Sequence, residues 1–95
     1  MAAYLVCDIK VTNPTQYEEY KKLAQAAVAH YGGRYLARGG ETAVLEGGWQ
    51  PNRVVVLEFP DLAKARAFYD SPQYKAARKA RAGAAQMNIV AVAGT

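Results

Sequence analysis

Val54-Val55-Val56-Leu57-Glu58-Phe59-Pro60-Asp61 is the stretch that decides the fold. From Val54 to Phe59 every residue but Glu58 is apolar, and the run is too short for a helix but fits a strand in the middle of a sheet. Pro60 ends it by withdrawing a backbone donor, and Asp61 is placed to cap a following helix. Strand side chains alternate, so Val55, Leu57 and Phe59 share one face while Val54 and Val56 share the other. Both faces are apolar, and both need covering.

Downstream, Leu62, Ala65, Phe68 and Tyr69 recur at helical spacing. Asp70-Ser71-Pro72 breaks that helix and starts another, with serine as N-cap and proline as the first helical residue. The second piece carries Tyr74, Ala77, Arg78 and Arg81 to about Gly83, and Met87 to Ala93 is a last strand. Upstream, Gly47-Gly48-Trp49-Gln50-Pro51-Asn52 forms a turn. Arg34 to Arg38 and Thr42 to Glu46 read as one strand interrupted at Gly39-Gly40, where the missing side chains allow a bulge or a bend. Gly32-Gly33 ends an amphipathic helix in which Tyr17, Tyr20, Ala24, Ala27, Val28 and Tyr31 oppose Glu18, Glu19, Lys21, Lys22 and Gln25. Thr12-Asn13-Pro14-Thr15 supplies its turn and cap. From Tyr4 to Val11, Leu5, Cys7, Ile9 and Val11 alternate with Tyr4, Val6, Asp8 and Lys10, which is a strand.

The order is β-α-β-β-α-β. With right-handed crossovers it closes into a four-stranded antiparallel sheet, strands one and three central and both helical regions on one face. The expected fold is therefore α+β and ferredoxin-like, with residues 1–95 forming a single domain. Helices on one face leave the other open; Val55, Leu57 and Phe59 oppose Val54 and Val56, and Tyr4 with Val6 and Val90 with Val92 likewise oppose an apolar set, so whichever face the helices take, the open one carries more apolar surface than a soluble monomer usually exposes. A second copy packed sheet to sheet would hide it, which makes a homodimer the expected assembly; a lipid or another protein is the alternative occupant.

Composition agrees. A chain of 95 residues buries only about 60 to 65 percent of its unfolded surface. With Cys7 as the only cysteine no disulfide can add stability, whereas a partner subunit can. Cys7 itself reads either as a small apolar strand residue or as a reactive thiol. Neither a signal sequence nor a membrane-spanning run is seen, so the expected location is cytoplasmic, with no membrane partner. The net charge is +4, and Lys64, Arg66, Lys75, Arg78, Lys79 and Arg81 crowd the second helical region. Separated by Ala-rich spacing and with no interleaved aromatic stacking motif, they fit a solvated helix face or an anionic small ligand better than nucleic acid. Gly39-Gly40 and Gly47-Gly48 precede no helix, so no phosphate loop and no nucleotide cofactor are expected.

Three groups of residues are candidates for a binding site. Arg38 and Glu46 flank the glycine pair, and Glu58 interrupts an apolar strand. They are either a structural Arg-Glu pairing or a ligand-gripping arginine beside a proton-moving carboxylate. Tyr69, Ser71, Tyr74 and, farther on, Arg81 gather at the helix break. They are either core phenols with a capping serine or the lining of a cavity for an aromatic or carboxylated molecule. His30, the only histidine, lies in the last turn of the first helix, where its cationic form suits the helix dipole; a general base or an axial haem ligand is the other reading. One histidine excludes a multi-histidine metal site, and no metal is expected. Trp49 either shields the sheet edge or contacts a second subunit.

Several blocks, in order, carry a likeness: Tyr4-Leu5-Val6; Tyr31 to Gly40; Leu45-Glu46-Gly47; Val54 to Pro60; and Phe68-Tyr69-Asp70-Ser71-Pro72-Gln73-Tyr74 with Arg81 beyond. Over essentially its whole length the sequence resembles the bacterial domain-of-unknown-function family 1330 of the dimeric α/β-barrel superfamily. The resemblance implies a ferredoxin-like subunit that pairs with its twin to form a barrel. It implies no particular reaction: the wider superfamily includes cofactor-free monooxygenases, lactone isomerases, haem-degrading proteins and stress-responsive barrels, with ligands held between sheet and helices. The expectation is a small homodimer that binds or transforms an aromatic or carboxylated metabolite without a nucleotide cofactor. The alternative is a structural or regulatory dimer acting through protein contacts, without catalysis.

Overall fold

Alternating and helical segments become seven elements in the computed structural model, which describes residues 1–95. They are β1 (Ala3–Val11), α1 (Pro14–His30), β2 (Arg34–Arg38), β3 (Arg53–Phe59), α2 (Leu62–Asp70), α3 (Pro72–Ala80) and β4 (Ala85–Ala93). The four strands pair antiparallel in the order β2-β3-β1-β4, the ferredoxin-like arrangement, with α2 and α3 sharing the second helical position. Each helix begins at a side-chain cap: Asn13 accepts from the Gln16 N–H, Asp61 from Lys64, and Ser71 from Tyr74. Ser71 is buried, and its Oγ also donates to the Phe68 carbonyl at 2.6 Å, so one hydroxyl closes α2 and opens α3.

The chain forms a slab 35 × 31 × 17 Å, its thickness that of one sheet and one helix layer. Leu5, Cys7 and Ile9 of β1 with Val55, Leu57 and Phe59 of β3 face the helices, none more than 7% exposed. Tyr17, Tyr20, Ala24 and Val28 of α1, Phe68 of α2 and Tyr74 of α3 pack onto them. The opposite face carries Tyr4, Val6, Val54 and Val56, all half-buried, and on β4 Val90 and Val92, 62% and 49% exposed. A folded monomer of 10.3 kDa exposes roughly 5,350 Å². This chain exposes 6028 Å², an excess that fits its open face and projecting loop. No helix is long and apolar enough to cross a membrane.

Two boundaries differ from the sequence reading. Thr42 to Glu46 is not a strand: from Gly39 to Asn52 the chain leaves the sheet, residues 42–46 are exposed, and Leu45 is 94% exposed. Its β-forming residues join no strand of the sheet, whose order is β2-β3-β1-β4. The last strand begins at Ala85 rather than Met87, because pairing with β1 continues to Val11 opposite Ala85.

Candidate functional site

One extra residue in β2 builds the site. Arg34 and Tyr35 lie opposite Glu58 and Leu57, but Ala37 and Arg38 lie opposite Val56 and Val55, which leaves Leu36 as a bulge. Three residues apart on a regular strand, Tyr35 and Arg38 would face opposite ways. The bulge turns both toward the helices, where the Arg38 guanidinium sits 4.3 Å over the Tyr35 ring and donates to the Gln25 side chain at 3.2 Å.

Behind this pair a cavity of about 40 Å³ lies between sheet and helices. Tyr17, Tyr20, Tyr35, Tyr69 and Tyr74 line it, with Lys21, Arg38 and Arg53 as its cations and no Asp, Glu or His. The Tyr20 and Tyr74 hydroxyls are hydrogen-bonded at 2.7 Å. Burial pushes the Tyr20 phenol far above its ordinary value, and its Tyr74 neighbour adds to the rise. Burial also raises Tyr74, against the opposing pull of the Tyr20 hydrogen bond and the Arg81 charge. Tyr17 and Tyr35 are likewise raised by burial, opposed by Arg53 and Arg38 respectively. Burial pushes the Cys7 thiol up to about 11. The cavity is thus lined by neutral phenols, an inert thiol and arginines, groups that hold an oxyanion and do not remove a proton from it.

A groove of about 470 Å³ opens alongside, between α2 and β4. Leu5, Tyr69 and Ile89 border both spaces, so Tyr69 stands at their boundary, its ring stacked by Arg78 at 4.3 Å. Arg81 lines the groove. Its guanidinium lies 5.5 Å over Tyr20, and its Nε is buried with no hydrogen-bond partner. Buried side-chain nitrogens are normally satisfied.

Of the residues singled out from sequence, Arg38, Tyr69, Tyr74 and Arg81 come together around these two spaces. The others lie elsewhere. Glu46 sits on the exposed loop and makes no pair with Arg38. Glu58 points to the open face, because it lies one step from Leu57, and binds Arg34 at 2.7 Å. Ser71 spends its hydroxyl on helix capping. His30 is exposed at the end of α1, its ring edge-on to Tyr31 at 5.0 Å. Trp49 returns the loop to the open face: its indole N–H donates to Asp8 at 2.9 Å, as does the Asn52 backbone, and these bonds hold the Asp8 carboxyl below its usual range. Sequence reasoning missed Lys21, Tyr35 and Arg53 as cavity residues. Arg53 was visible in principle, being in phase with Val55, Leu57 and Phe59.

Solved structures share this fold at low identity. A protein of unknown function from Rhodopseudomonas palustris matches with a TM-score of 0.77 at 17% identity, covering 99% of this chain and 82% of its own. SnoaB, a cofactor-independent oxygenase from Streptomyces nogalater, gives 0.67 at 14% identity, covering 99% and 93%. A dimeric protein of unknown function and ferredoxin-like fold from Bacteroides fragilis gives 0.64 at 13%, covering 98% and 96%. No curated protein matches the sequence. The family model for the domain of unknown function DUF1330 matches residues 2–95, and the chain belongs to that family.

Proposed function

We propose that the protein is a homodimer, joined through the open faces of its sheets, in which each subunit binds a small aromatic or carboxylated metabolite between sheet and helices without a nucleotide cofactor. The observation that carries the binding reading is Arg81, whose buried Nε has no partner and which, with Arg66, Asp70 and Asn88 among apolar side chains, lines a groove of about 470 Å³. That volume lies in the range of about 300 to 1,000 Å³ typical of small-molecule sites. Leu5, Ala65, Met87, Ile89 and Ala91 offer the groove's apolar surface to a ring, and Arg81 offers a fixed donor to an acid or carbonyl oxygen. The dimer is supported by the uncovered valines of the open face and by the dimeric state of the Bacteroides fragilis protein of the same fold. SnoaB, of the same fold, is a cofactor-independent oxygenase, which supports a reading without a cofactor.

Isothermal titration with salicylate and benzoate tests the reading. Saturable binding of one molecule per chain is expected, weakened roughly tenfold or more in Arg81→Gln by loss of a charge-assisted hydrogen bond. Absence of heat across a broad set of aromatic and short carboxylates would overturn it in favour of a dimer acting through protein contacts.

A further inference from the structure

We infer that Arg53, together with Arg38, forms an oxyanion-binding centre in the inner cavity, which takes the carboxylate of a ligand whose apolar body occupies the groove. Arg53 is the first residue of β3, and strand alternation carries its side chain under the helices with Val55, Leu57 and Phe59. A cation in that layer calls for a counter-charge, and none lines the cavity. Glu18 is engaged by Lys21 at 2.8 Å, Asp8 by Trp49 and Asn52 on the opposite face, and Glu58 by Arg34. The Arg53 Nε is buried and donates to nothing. Leaving such a donor unsatisfied is costly, the more so when it is charged, so its persistence points to a ligand that completes it.

The guanidinium is also held in place. Gly39, at φ +73, lies directly against it, and a Cβ there would meet Arg53 Cζ at 2.6 Å. Glycine suits the left-handed backbone there and leaves room for the guanidinium, which a Cβ would push aside. On the other flank the bulge at Leu36 delivers Arg38, fixed by the Tyr35 ring and Gln25. Size assigns the roles: about 40 Å³ holds a carboxylate or a few waters but no ring, whereas the groove beyond Tyr69 holds the ring. The ligand class that follows is an aromatic or alicyclic acid. This inference rests on the reading above for the place of the apolar body, but the Arg53 centre is read out separately.

The test follows the arginine Nε–Hε signals of the ¹⁵N-labelled protein by NMR, titrated with benzoate and, separately, with inorganic phosphate. Benzoate is expected to shift the Arg53 signal saturably and phosphate to leave it in place. Arg53→Gln should weaken benzoate binding at least tenfold with an unchanged circular dichroism spectrum, and Arg53→Lys should recover less than half of the loss, since lysine lacks the planar fork. A benzoate shift confined to the Arg81 signal would overturn the Arg53 centre while sparing the groove. A shift at Arg53 alone would support the centre and count against Arg81. A response to phosphate but not benzoate would overturn the assigned ligand class.

Discussion

The two faces of the sheet are woven from the same strands and the same kinds of residue, yet they end in opposite states. Cys7 and Asp8 are chain neighbours: Cys7 faces the helices, buried, its thiol pushed up to about 11, while Asp8 faces outward, its carboxyl lowered by Trp49 and Asn52. Val55 is 7% exposed beneath the helices, whereas Val90 on the other side is 62% exposed. Alternation alone says that both faces are apolar; what differs is that the chain supplies its own cover for one of them. The covered face carries a packed core with a small cavity, and the uncovered face carries a surface suited to a second copy.

Truncation on the covered face should cost most. Phe59 is 1% exposed and stacks on Phe68 at a ring-centroid distance of 5.0 Å, so Phe59→Ala should lower unfolding free energy by about 3–5 kcal/mol in urea denaturation. The open face should answer differently. Val90→Asp is expected to keep the circular dichroism spectrum of the folded chain while raising the dimer dissociation constant roughly a hundredfold, because two-fold symmetry buries the new charge twice.

Alkali and acid separate the faces in a second way. A folded thiol titrating at about 11 against a reference of 9.0 contributes stability that is fully present below pH 9 and lost as pH rises through 11. The loss is about 2–3 kcal/mol, and the raised phenols act in the same direction. Urea midpoints measured at pH 8 and pH 10.5 should show this fall, smaller in Cys7→Ala. Asp8 works oppositely: its lowered value stabilises the loop clasp above the ordinary 3.8, and that contribution disappears as pH drops through the folded value. Trp49 is the only tryptophan, so its emission should change as Asp8 is protonated in acid, and Asp8→Asn should remove the pH dependence.

What was legible in the sequence was whatever neighbours along the chain decide. The alternation of β1 and β3, the α1 stripe and the Ser71-Pro72 restart all follow from local periodicity and capping, and each is found where the residues place it. What stayed hidden depends on partners across the sheet. Gly39-Gly40 marks a site where a bulge is allowed, but the bulge falls at Leu36, because the register against Val55 and Leu57 fixes it. Thr42 to Glu46 has strand-forming residues, yet it stays exposed outside the sheet. Arg38 was expected beside a carboxylate and instead meets a tyrosine and a glutamine, while Glu58 finds Arg34 one strand over. Arg53 falls between the turn ending at Asn52 and the apolar run starting at Val54, and its place one step before that run sets its side chain beneath the helices.

Sedimentation equilibrium at micromolar concentration addresses the central claim most directly. The account predicts a single species of twice the 10.3 kDa chain mass. A homogeneous solution of single chains, with the valines of the open face left in water, would contradict it.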